Sequence, residues 1–268
     1  MGMMRVKASV VAACVVTACI VLAVSSGAGV DLQSASVVWL FDEGAGDIAR
    51  DLTGNGNDGT LFKNPKWVDG KFGGALEFDG GVTYVEVAEP VGLPLLFAPR
   101  TVMLWFKSGA VGVQRANVIG YGPINSPGWF GVFIAPGVLG YENTDWRVQF
   151  IADWRSDGDW HHFVVAFPDG ERTKIDQLKL YLDGEPLNGE MLVGVKPNIL
   201  LTAAGRLRVA ADSRDNVYFK GIVDDVAIFP RELTPEEIAL VMQNGLLAAQ
   251  DVSPQEKLAT AWGSIKAH

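Results

Sequence analysis

The cadence of short apolar runs is what most constrains this chain. From Val37 onward, runs rich in β-branched and aromatic residues occupy 37–41, 75–78, 84–87, 101–107, 116–121, 129–134, 147–151, 161–167, 178–182, 206–210 and 221–229. Several alternate apolar with polar side chains, the signature of strands buried on one face. Gly, Pro, Asn and Asp punctuate the gaps, and Asp183-Gly184 between apolar flanks reads as a hairpin turn. Many short strands at fairly even spacing predict an all-β sandwich or jelly roll. No heptad pattern and no tandem repeat interrupts it.

The first 29 residues stand apart. Arg5 and Lys7 precede an uncharged apolar run, 8–24, followed by Ser25, Ser26, Gly27, Ala28 and Gly29. A basic start, an apolar stretch and a small-residue zone are the three parts of a secretory signal peptide, with cleavage near Ala28 or Gly29. An uncleaved anchor and a lipoprotein site at Cys19 are the lesser alternatives; against the second, the apolar run continues past Cys19. The reading is therefore an exported protein, secreted or held at the cell surface or in the periplasm, with a domain over 30–245 and a tail over 246–268.

Removing the leader changes the chemistry available. Both cysteines, Cys14 and Cys19, leave with it, so no disulfide, thiolate metal site or cysteine nucleophile remains. The 22 basic residues fall to 20 against 31 acidic, a net charge of −11. Nucleic-acid binding needs a basic footprint, which this balance excludes as a partner class. Excess carboxylate suits divalent cations and neutral ligands better.

One loop is rich in oxygen. Residues 51–61 read DLTGNGNDGTL, with two Asp, two Asn and three Gly in nine positions. Glycine lets the backbone turn tightly, and the Asx side chains then present oxygens at short range. Such a loop serves either as a surface turn or as a Ca²⁺ site, since calcium takes six to eight oxygens in flexible geometry. Late in the chain one helix stands out. Thr234 caps it, Pro235 opens it, Glu237 completes a capping box, and Gly245 is its expected stop.

The motifs in order resemble a laminin-G-like jelly-roll domain of the concanavalin A-like lectin/glucanase superfamily. The resemblance rests on 38–61, 70–87, 101–107, 157–167 with 180–187, and 219–238. It implies two antiparallel sheets and a structural Ca²⁺ at the sandwich edge, with an acidic residue of the FKGIVDD strand close to the 51–58 loop. Asp51, Asn55, Asn57 and Asp224 are the ligand set so implied, with Asp58 and Asp225 in reserve. Strand alternation puts Asp224 and Asp225 on opposite faces.

A search for catalytic groups returns little. There is no G-x-S-x-G, H-E-x-x-H or Walker loop. His161 and His162 are neighbours on a strand and point apart. The glucanases of the superfamily carry an E-x-D-x-E strand, which is missing; its nearest imitation is Glu77-Phe78-Asp79. Among eight tryptophans, Trp39, Trp105 and Trp160 sit in apolar strands. Trp129, Trp146 and Trp154 lie near Gly, Pro, Asn or Asp and are the expected rim residues. With Arg155 they form the candidate sugar site. The leading expectation is a non-catalytic, lectin-like binding or adhesion module for a glycan or an extracellular protein. The alternatives are a glycan-active hydrolase or lyase, and a structural surface protein.

Overall fold

The computed structural model describes residues 29–108, 115–124, 128–143, 149–154, 157–170, 174–192, 202–212 and 217–250. The signal-peptide reading of 1–29 falls almost wholly outside them, as do the last 18 residues, 251–268. Seventeen strands are present among the described residues. In chain order they are β1 Val37–Trp39, β2 Ile48–Ala49, β3 Gly59–Phe62, β4 Lys66–Asp69, β5 Gly74–Asp79 and β6 Tyr84–Val87. Next come β7 Arg100–Lys107, β8 Ala116–Gly122, β9 Phe130–Ala135, β10 Val138–Asn143, β11 Gln149–Asp153 and β12 Trp160–Phe167. The last are β13 Lys179–Leu182, β14 Glu185–Leu187, β15 Glu190–Leu192, β16 Arg206–Val209 and β17 Lys220–Phe229.

All pair antiparallel, in two sheets. One runs β14-β13-β12-β7-β17-β5-β4, with β1 added on β17; the other runs β15-β11-β10-β9-β8-β16-β6-β3-β2. Runs of consecutive strands, such as β8 to β11, sit beside strands from distant parts of the chain, such as β7 beside β17 and β16 beside β6, and the expected two-sheet sandwich is the fold. Between the sheets, Trp39, Leu76, Phe78, Leu104, Phe106, Ile119, Phe130, Phe163 and Val223 form the main core. Each such side chain contributes about 1.5–3 kcal/mol by leaving water. The Asp183-Gly184 turn closes the β13–β14 hairpin with φ of +53° and +81°, which only a turn of the left-handed type needs.

The helix α1, Pro235–Ala249, covers the outer face of the first sheet. Thr234 and Glu237 form the expected reciprocal cap, with Glu237 N–H donating to Thr234 Oγ1 (3.2 Å) and Thr234 N–H to Glu237 Oε2 (2.9 Å). Ile238, Val241 and Leu246 pack on Met103, Val164 and Ala227. Gly245, at φ +78°, breaks the helix without ending it. Gln250, after the helix, bridges to Val30.

Candidate functional site

The oxygen-rich loop is internally satisfied. One Asp51 carboxylate accepts from Val38 N–H (3.2 Å), Thr53 N–H (3.1 Å), the Thr53 hydroxyl (2.8 Å) and Asn57 N–H (3.1 Å). Asn57 is fully buried; its amide donates to the Ser36 and Val91 carbonyls and accepts from Val91 N–H. The Asn55 amide donates to the Ala35 and Ser36 carbonyls. Asp58 accepts from Asp51 N–H and pairs with exposed Arg50. The composition is thus explained by a hydrogen-bonded knot that ties the loop to β1 and to Val91.

Asp224 sits against another segment. Its Oδ2 accepts from Lys71 N–H (2.8 Å) and Phe72 N–H (2.9 Å), while Oδ1 is buried without a partner. The structure brings Asp51, Asn55 and Asn57 together; among the described residues, Asp224 takes its hydrogen bonds from Lys71 and Phe72 and not from that loop. Those four residues, so engaged, do not fit a single coordination shell for a calcium ion. Asp225 departs from simple alternation. A bulge between Asp224 and Ala227 and a φ of +46° turn it toward α1, where Oδ2 accepts from Leu246 N–H (2.8 Å). Burial pushes both carboxyls up to about 7.

The aromatic expectations divide. Trp146 and Arg155 lie outside the described residues. Trp129 and Trp154 are buried, not on the rim, which removes their faces from any sugar. Trp154 joins the core, its Nε1 donating to the Ala135 carbonyl and its ring edge-on to Phe106 and His161. Trp129 lies across the outer face of the second sheet. There the register aligns Glu86, Arg208, Gly120, Gly131 and Glu142 in one cross-strand row. The two glycines leave a trough that the indole fills. A Cβ on Gly120 would stand 2.5 Å from Trp129 Cζ2. With its amide oriented to suit both neighbours, Asn117 accepts from Trp129 Nε1 (2.8 Å) and donates to Glu142 (2.9 Å). Arg208 and Arg206 hold Glu86, and Arg115 holds Glu142. The two glutamates are four strands apart, about 19 Å at the usual strand spacing. Glycoside hydrolysis works across about 5–9.5 Å.

His161 and His162 do diverge, as alternation requires. His161 lies between Asp183 Oδ2 (2.8 Å) and Asp157 Oδ1 (3.0 Å); burial opposes its charge, but the two carboxylates win and raise its pKa. His162 faces Trp105 on the other side, with both ring nitrogens unpartnered, and burial lowers its pKa to about 4.

Sequence reasoning missed a cleft at one end of the sandwich. A cleft of about 630 Å³ opens at the ends of β5, β7 and β17, beside the β3–β4 turn. That is within the range of small-molecule sites. Its floor holds Phe78 and Ile222; Asn64 and Thr83 are polar lining, and Lys63, Lys66, Lys107 and Lys220 surround them with Glu77 and Asp79. Pairing in register brings these distant positions together: Lys66 opposite Glu77, Lys220 opposite Asp79, Ile222 opposite Lys107. Lys63 and Asn64 are held at φ of +60° and +57°. The acids are engaged. Glu77 meets Lys66 at 3.5 Å, and Asp79 Oδ1 accepts from three backbone N–H groups and the Thr83 hydroxyl. Burial acts to raise the Asp79 pKa, yet those hydrogen bonds hold it down to about 2. A general acid must carry a proton at working pH, and Asp79 does not. The only sequence sign of this cleft was a set of lysines at strand ends, scattered over more than a hundred positions.

Comparison with known proteins places this geometry in context. Residues 79–239 match the Laminin_G_3 family, described as the concanavalin A-like lectin/glucanases superfamily. No curated protein sequence matches the chain. Among solved structures, domain 4 of AbnA, an extracellular arabinanase from Geobacillus stearothermophilus solved with arabinotriose, is 19% identical with a TM-score of 0.55. The match covers 76% of this chain and 96% of that one. The botulinum neurotoxin serotype D binding domain is 15% identical with a TM-score of 0.58, covering 80% of this chain and 52% of that one. A Trypanosoma rangeli sialidase is 15% identical with a TM-score of 0.51; the match covers 78% of this chain and 33% of the enzyme. At these identities the likeness is one of fold. This chain spans about half of the toxin domain and a third of the sialidase. Among the described residues, no helix is long and apolar enough to cross a membrane.

Proposed function

Given that this chain belongs to the Laminin_G_3 family of the concanavalin A-like lectin/glucanase superfamily, we propose that it is an exported, non-catalytic glycan-binding module. The observation that carries the reading is the cleft at the ends of β5, β7 and β17. It combines an apolar floor with amide, hydroxyl and ammonium donors that are suited to sugar oxygens. Its two carboxylates are engaged in ways that favour holding a ligand over hydrolysing one. The arabinotriose bound to domain 4 of AbnA, on a similar fold, supports the choice of ligand class. The apolar leader at 8–24 supports export.

The experiment is a glycan array probed with the mature protein, alongside a reducing-end assay on polysaccharides. Saturable binding to glycans without release of reducing ends is the expected result. A blank array, or steady release of sugar, overturns the reading.

A further inference from the structure

We propose that the cleft selects acidic oligosaccharides, those bearing carboxylate or sulfate groups; this rests on the glycan-binding reading above. Four lysines line the cleft against two acidic residues. The chain as a whole carries 22 basic against 31 acidic residues. The local sign is therefore opposite to the global one, a pattern that solubility alone does not require.

The positive charge is also available. Lys66 is paired with Glu77, and both are well exposed. Among the described residues, Lys63, Lys107 and Lys220 form no ion pair. Asp79, the one acid near Lys220 in register, has its Oδ1 engaged by the turn that follows it. The stems of two of these lysines are packed. Gly80, at φ +75°, lets the Lys220 stem lie against the backbone; a Cβ there would come within 2.6 Å of Lys220 Cβ. Lys107 is half-buried beside Ile222 and opposite Trp160.

The surrounding charge limits the size of the ligand. Beyond about 8 Å at physiological salt, charges are screened, and the rest of this acidic surface repels an extended polyanion only within that range. A short glycan with one or two anionic groups receives the lysines' attraction and little of the repulsion. A long polyanion such as a nucleic acid does not.

The test reads an array of neutral, uronate-bearing and sulfated glycans with the wild type and with the K107Q/K220Q double variant. Both are read at low and high salt. The wild type is expected to prefer acidic glycans at least tenfold over their neutral counterparts and to weaken as salt rises. The uronate and sulfate arms show which anion is preferred. The double variant is expected to lose tenfold or more on acidic glycans, with an unchanged melting temperature. Equal or better binding to neutral glycans overturns acidic selection while leaving glycan binding intact, as does undiminished acidic binding by the variant. No signal on any glycan overturns both.

Discussion

The loop around Asp51 and the cleft around Lys107 are both polar, glycine-bearing and close to strand ends, yet they differ in what their polar atoms face. In the loop, an Asp51 carboxylate takes four donors and buried Asn57 uses its amide on Ser36 and Val91. In the cleft, three lysines have no carboxylate partner among the described residues. A polar group whose hydrogen bonds are complete within the fold holds the fold together; one left incomplete at a concave surface is free to meet a ligand. Composition alone does not separate the two cases.

The largest effects should come from the satisfied side of this contrast. Asp51→Ala removes an acceptor shared by four donors, so it should destabilise by about 3 kcal/mol. Thermal unfolding should record a fall in Tm of about 6 to 12 °C. The fall should be the same in calcium and in chelator, and chelator alone should leave the wild-type Tm unchanged. A wild-type Tm that drops in chelator and returns with calcium, but not with magnesium, would mean that an ion supplements these hydrogen bonds.

A pH effect of similar size is expected at His162. Burial lowers its pKa from 6.5 to about 4, so the unfolded chain binds the extra proton first as pH falls. Stability from this group is complete above about 6.5 and is lost between there and about 4, amounting to about 2 kcal/mol by pH 5. Denaturant unfolding of the wild type and His162→Phe at pH 7 and pH 5 isolates it, since other titrating groups cancel in the difference. The variant should lack this acid loss; parallel behaviour of the two proteins would refute a buried neutral imidazole.

Next comes the trough under Trp129. Gly120→Ala places a methyl 2.5 Å from the indole and should cost about 1–3 kcal/mol by overpacking. Near-ultraviolet circular dichroism should change with it. The methyl would also meet the Phe130 carbonyl oxygen at 2.7 Å, so an unaffected Tm would show that both the ring and the neighbouring strand give way. The smallest effect is predicted at the cleft: Lys107→Gln and Lys220→Gln should each shift stability by less than about 0.5 kcal/mol, because neither charge is paired among the described residues and Gln keeps most of the stem.

The legibility of the chain follows the same division. Strand periodicity is local, so every apolar run named from the sequence lies on a strand or extends from one, and the Thr234 cap could be read residue by residue. The strands β2, β4 and β10 are short or carry Gly and charge, and periodicity did not find them. Asp225 defeated alternation because a bulge adds a residue to one strand without a mark in the sequence. Trp129 misled because its neighbours look like loop residues. Its burial depends on two glycines of paired strands, Gly120 and Gly131, which become adjacent only after folding. The cleft was hidden for the same reason: its lysines come from β4, β7, β17 and a turn, and only register unites them.

Hydrogen–deuterium exchange of the wild type, with and without the tightest-binding array glycan, tests the contrast most directly. Slowed exchange is expected at 63–66, 77–83 and 220–222, with 51–58 the same in both states because its hydrogen bonds lie within the fold. Protection that appears at 51–58 or over the Trp129 row, while the cleft stays unchanged, would contradict it.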